Sequence, residues 1–153
     1  MPLTKLQFND GGRAAAGYAG SAGDCVTRAI AIAAELPYEQ VYAALSQGCR
    51  AQRVTRGHHR KASARNGVNT KRRWFREYMK SLGFQYVATM HIGSGCKTHL
   101  RSEELPQGRL VVQVSRHYTA IIDGVIHDTY DPSRGGTRCV YGYWIRDKLS
   151  SGK

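Results

Sequence analysis

The chain has 153 residues, enough for one domain around one core. Apolar residues make up 41% of it, yet no run approaches the roughly eighteen needed to cross a bilayer, so a membrane span is excluded. With 23 Lys and Arg against 11 Asp and Glu, the formal charge of +12 points to an anionic partner (nucleic acid, an acidic protein or an anionic wall polymer) and says nothing of fold.

The opening "MPLTKLQFNDGG" lacks a basic segment followed by an apolar one, so a cytoplasmic location is expected, the host cytoplasm if the chain is phage-encoded. Cys25, Cys49, Cys96 and Cys139 are scattered without a CxxC pair. In a reducing compartment they are expected as free thiols, and their spacing argues against structural zinc. Neither a metal nor a cofactor is expected.

Residues 1–23 are Gly- and Ala-rich and predict an extended arm. Asp24 is a natural N-cap for a first helix, with Cys25 in its first turn and Ala29, Ile30, Ala33 and Ala34 at helical spacing. Pro37 suits the first position of a second helix, "PYEQVYAAL", which is expected to end near Gly48. Residues 50–69 predict a basic surface loop. Its Arg56, Arg60, Lys61 and Arg65, continued by Lys71, Arg72 and Arg73, are candidates for binding nucleic acid or another polyanion, because Trp74 and Phe75 stand beside them. Those two rings also fit a core stripe.

Asn69 or Thr70 can cap a third helix whose apolar stripe is Trp74, Phe75, Tyr78, Met79 and Leu82, ended by Gly83. Five strands follow, at 84–90, 109–115, 117–123, 125–131 and 139–145. Helices first and strands second predict a single α+β domain over 1–153, its N-terminal helices packed on an antiparallel meander sheet.

Asp123-Gly124 between two apolar runs is a hairpin signal that fixes a register. Ile122 then opposes Val125, Thr119 opposes Asp128, and His117 opposes Tyr130. Opposed residues share a face, so His117 and Asp128 become diagonal neighbours. A thiol at a helix N-terminus is acidified by the helix dipole and by free N–H groups. An imidazole can take its proton, and a carboxylate can hold the imidazole in register. Cys25, His117 and Asp128 supply those three groups in that order.

A Cys on the leading helix, a distant His opening a strand and a polar residue on the next strand resemble the papain-like cysteine peptidase superfamily. "HYTAIIDGVIHD" is especially similar to its NlpC-type cell-wall and bacteriocin-processing branches. There, as in transglutaminases, the third residue sits opposite the position two after the histidine, which again selects Asp128. "GDCVTRAIAIA", "HYTAIIDGVIHDTYDPS" and "VYGYW" also resemble small phage and prophage proteins. Asp131-Pro132-Ser133 is similar to a strand-ending motif of the bacteriocin-processing enzymes, which makes Asp131 the alternative third member. The superfamily's Gln about six residues before the Cys is missing, since position 19 is Ala. Gln7, Asn9 and Asp10 have the wrong spacing to replace it.

The expected activity is a papain-like thiol hydrolase acting by acyl transfer on a peptide, isopeptide or amide bond of a peptide or protein substrate. Transglutaminase or deamidase chemistry uses the same three groups, and an endolysin-like wall peptidase would fit the charge. The alternative is a non-catalytic papain-like scaffold that binds nucleic acid or an acidic host protein through its basic loop.

Overall fold

The computed structural model describes residues 5–17, 24–51, 68, 70–91 and 93–146. The fold is α+β. Three helices, α1 (Cys25–Ala34), α2 (Tyr38–Ala51) and α3 (Arg73–Ser81), pack on one six-stranded mixed sheet. Its strands are β1 (Leu6–Phe8), β2 (Phe84–Ala88), β3 (Arg109–Val114), β4 (His117–Ile122), β5 (Val125–Asp128) and β6 (Val140–Arg146), in spatial order β1-β5-β4-β3-β6-β2.

This corrects the expected simple meander in two ways. Only β3, β4 and β5 follow one another in hairpin fashion; β6 crosses back to lie between β3 and β2. The N-terminal segment expected as a free arm supplies an edge strand, β1, which runs parallel to β5 with Phe8 beside Asp128. A three-residue strand has too short an alternation to stand out from Gly- and Ala-rich surroundings.

The β4–β5 register is the one the Asp123-Gly124 turn demands. Ile122 pairs with Val125, Ile121 with Ile126 and Ala120 with His127, and both turn residues have positive φ. The strand ends at Asp128, three residues before its expected limit.

The sheet buries both faces. On one, α1 to α3 enclose Ile30, Val41, Leu45, Phe75, Met79, Val111, Ala120 and Trp144. On the other, Leu100 and Leu105 of the segment between β2 and β3 cover Leu110, Val112, Ile121, Ile126 and Val140. Cys96 of that segment is disulfide-bonded to Cys139, with Cα atoms 5.8 Å apart. That overturns the expectation of four free thiols; Cys25 and Cys49 are the two outside the disulfide. A separation of 43 residues hides the pairing from any reading of local spacing.

Gly48 does not end α2, which runs on to Ala51. A Cβ there would lie 2.4 Å from the Trp74 ring, so the glycine makes room for α3 against α2. Trp74 and Phe75 meet edge-on, and Phe75 meets Trp144 in the same way, which places both rings of the basic stretch in the core stripe. α3 has Arg72 at its N-cap position and not Thr70, while Asn69 lies outside the described residues. The Thr70 hydroxyl instead lies 2.6 Å from that of Tyr118 on β4.

Two arginines that are direct cross-strand partners, Arg109 on β3 and Arg146 on β6, reach the C-terminus of α1. Arg109 donates to the carbonyls of Ala33 (2.7 Å) and Ile32 (3.2 Å), and Arg146 to that of Ala34 (3.0 Å). They satisfy carbonyls that a helix end leaves open and neutralise its negative pole. A cavity of about 250 Å³ lined by Ala34, Leu36, Ser81, Leu82, Gly83 and Arg146 lies at this end, remote from Cys25.

Candidate active site

The start of α1, the end of β5 and the β3–β4 turn come together at the opposite end of the sheet. Cys25 is the first residue of α1 and is part-buried. His117 opens β4 directly after the Ser115–Arg116 turn, and Asp128 closes β5. His117 and Asp128 are both buried, at 7% and 4% exposure, and Nε2 of the ring lies 2.8 Å from Oδ2 of the carboxylate. The other ring nitrogen is left for Cys25, whose sulfur hydrogen-bonds with His117 and accepts from the backbone N–H of Tyr118.

This geometry moves protons. Burial pushes the Cys25 thiol up, but the His117 hydrogen bond and charge, the Tyr118 N–H and the Arg28 guanidinium outweigh it and hold the thiol below its usual 9.0. Burial likewise opposes protonation of His117, yet hydrogen bonds with Asp128 and Cys25 raise its pKa to about 9. Asp128 is lowered despite burial, by His117, the neighbouring Thr119 hydroxyl and the N–H of Thr129. The three groups therefore favour a thiolate–imidazolium pair backed by a carboxylate. The first N–H groups of α1, Cys25's own included, have no intrahelical acceptor, as at any helix start, and Asp24 does not cap them with its side chain.

Asp24 has a different task from the one expected. Its buried carboxylate takes Arg13 Nε (2.8 Å), Arg28 Nε (3.1 Å) and the Tyr38 hydroxyl (2.5 Å). Arg28, one turn into α1, continues from there to Thr129 Oγ1 (2.9 Å) and to Asp128 Oδ1 (3.5 Å). One guanidinium thus ties the start of the helix that carries Cys25 to the carboxylate behind His117. The sequence held a signal for it: Arg28 lies three residues after Cys25, and therefore on the same side of the helix. Without knowledge of β5 it had no visible partner.

Asp131, the alternative third member, is not at the histidine; its carboxylate accepts the Ser133 N–H at 2.9 Å and shapes the following turn. Asn9 does not reach the thiol either. Its side-chain oxygen accepts from Gly11 N–H, and its amide lies 3.4 Å from His127 Nδ1. Tyr130, left without a role by sequence, packs against His117 with ring centroids 5.2 Å apart and the planes tilted by 48°. Of the basic candidates, Arg56, Arg60, Lys61 and Arg65 lie outside the described residues. Lys71, Arg72 and Arg73 are at the start of α3, where Arg73 pairs with Glu77 at 2.9 Å. Among the described residues, no group of three or more His, Cys, Asp or Glu is placed to hold a metal ion, and no helix is long and apolar enough to cross a membrane.

No family model matches this chain, and no curated protein and no solved structure matches it either. The site has to be read from its own geometry.

Proposed function

We propose that this protein is a thiol hydrolase of papain-like design that cleaves a peptide, isopeptide or side-chain amide bond by acyl transfer. The observation that carries the reading is one imidazole held between a buried carboxylate at 2.8 Å and a thiol at a helix start whose pKa is depressed. A thiol that served only as a small core hydrophobe would have its pKa raised by burial.

In the proposed reaction the Cys25 thiolate attacks the carbonyl carbon. The C=O pair moves onto oxygen, which the first N–H groups of α1 stabilise. As the tetrahedral intermediate collapses, the C–N bond breaks and His117 gives its proton to the departing amine. Neutral His117 then removes a proton from water, and the resulting hydroxide attacks the thioester. Cys25 leaves as thiolate, and the acid product and the imidazolium remain. Asp128 holds the ring in one tautomer and favours its charged form. An amine in place of water in the second half would give transglutamination with the same groups.

Iodoacetamide at pH 7 tests this directly, with modified residues located by mass spectrometry. Cys25 should be alkylated faster than buried Cys49, and His117→Ala should slow the reaction. Cleavage of a fluorogenic peptide library should disappear in Cys25→Ala while the fold is retained. Equal alkylation of Cys25 in the wild type and His117→Ala would overturn the assignment.

A further inference from the structure

We propose that β2 is a docking edge for an extended segment of an acidic partner polypeptide, which adds to the sheet as one more strand. The inference stands apart from the thiol chemistry, since β3 and β6 separate β2 from the strands that carry His117 and Asp128.

An open sheet has two edges, and here they differ. β1 is three residues long, a length that itself discourages pairing. β2 runs for five residues in unbroken register with β6, and residues 84–90 hold no Pro and no charge that would blunt it. The Thr89 N–H donates to the Tyr141 carbonyl at 3.1 Å. In an alternating antiparallel ladder Gln85 and Val87 then also face β6, and the N–H and C=O groups of Tyr86 and Ala88 point outward. Among the described residues, no backbone group meets them there. Their own side chains do not cover them either. The Tyr86 ring leans inward over β6: a Cβ on Gly142 would lie 2.1 Å from the Tyr86 hydroxyl, and the ring centroid is 5.1 Å from that of Trp144. Gly142 thus lets Tyr86 fold away from the edge, and Ala88 carries only a methyl group.

Charge selects the partner. The Arg76 guanidinium of α3 lies over the Tyr86 ring, 5.9 Å from its centroid, and Lys80 follows one turn later on the same side of the helix. Neither makes an ion pair among the described residues. No Asp or Glu occurs between Glu77 and Glu103. With a formal charge of +12 on each chain, a second copy would bring like charges together, whereas an acidic strand brings carboxylates to Arg76. An added strand takes its affinity from main-chain hydrogen bonds and its selectivity from alternate side chains. Those on the α3 face of the sheet would meet Arg76.

Fluorescence anisotropy of a short labelled peptide of alternating glutamate and valine, added to the intact chain at low ionic strength, provides the test. This peptide should bind, and its lysine–valine counterpart should not. Ala88→Pro removes an outward donor and obstructs an added strand while sparing the β2–β6 ladder, and should weaken binding about tenfold. Arg76→Gln should weaken it about threefold. On the wild-type chain, methylating the peptide's backbone nitrogens at alternate residues should abolish binding for one of the two alternations and spare the other, because only one edge of an added strand faces β2. Equal binding of the two methylated peptides, or of the glutamate and lysine peptides, overturns the proposal, as does no binding at all. A dimer in sedimentation that Ala88→Pro dissociates also overturns it and gives the edge to a second copy.

Discussion

Asp128 accepts His117 on one carboxylate oxygen at 2.8 Å and faces Arg28 from the other at 3.5 Å. It is thereby fixed from two elements at once, a strand and a helix. Replacing it with Asn removes the charge that favours imidazolium, so Asp128→Asn should lower the His117 pKa and slow Cys25 alkylation several-fold at pH 7. Asp131→Asn should leave that rate unchanged, since Asp131 serves only its own turn. The measurement is a pH–rate profile for each variant; the reverse order would reassign the third group.

The pH dependence of stability has two opposed parts. His117 has a native pKa of about 9 against 6.5, so its contribution is complete below 6.5 and is lost as pH rises through about 9. Cys25 is shifted down, so its contribution is present above 9.0 and is lost as pH falls through its native pKa. Over the interval between them the two slopes oppose each other. Cys25→Ser should therefore expose a steeper fall in Tm from pH 6.5 to 9 than the wild type shows. Parallel Tm curves would mean that the proton is not shared.

Arg28 lies among groups that need its charge. Arg28→Met would leave Asp24 and Asp128, both buried, short of a cation, and should cost about 2–3 kcal/mol in urea unfolding. Arg28→Lys restores charge without the two-pronged reach to Asp24 and Thr129, and should recover less than half of that. The pH midpoint for Cys25 alkylation separates charge from packing: it should rise for Met, which removes the charge that lowers the thiol pKa, and stay nearly unchanged for Lys, which keeps it.

With Cys96 and Cys139 bonded, thiol titration of the unreduced chain in denaturant should count two groups, Cys25 and Cys49. Cys96→Ser with Cys139→Ser should lower stability by about 3 kcal/mol, because the bond pins the segment whose Leu100 and Leu105 cover one face of the sheet.

Gly48→Ala sets helix propensity against space. Propensity favours alanine by about 1 kcal/mol, but the added methyl meets the Trp74 ring at 2.4 Å. Overpacking should win by about 1–3 kcal/mol, read as a lower Tm.

That glycine shows where sequence reading stops. Asp123-Gly124 could be read because a two-residue turn declares its own geometry, and with it came the neighbours His117 and Asp128. Gly48 looked like a terminator because its reason, Trp74, belongs to another helix. Asp24 was readable as a cap from its position but not as the holder of Arg13, Arg28 and Tyr38, whose arrival depends on the tertiary fold. β1 and the Cys96–Cys139 bond were hidden for the same reason: each pairs with a segment far along the chain.

The small side chains of α1 bear on the Cys25 thiol as well. Ala29, Ala31, Ala33 and Ala34 bring short side chains to the core, beside the larger Val26, Ile30 and Ile32 of the same helix. Guanidiniums grip it at both ends, Arg109 and Arg146 at the tail and Arg28 at the head. Charge at both ends therefore joins packing in setting the depth to which the sulfur advances, like a bolt held by its two stops, and loosening either stop should detune the thiol.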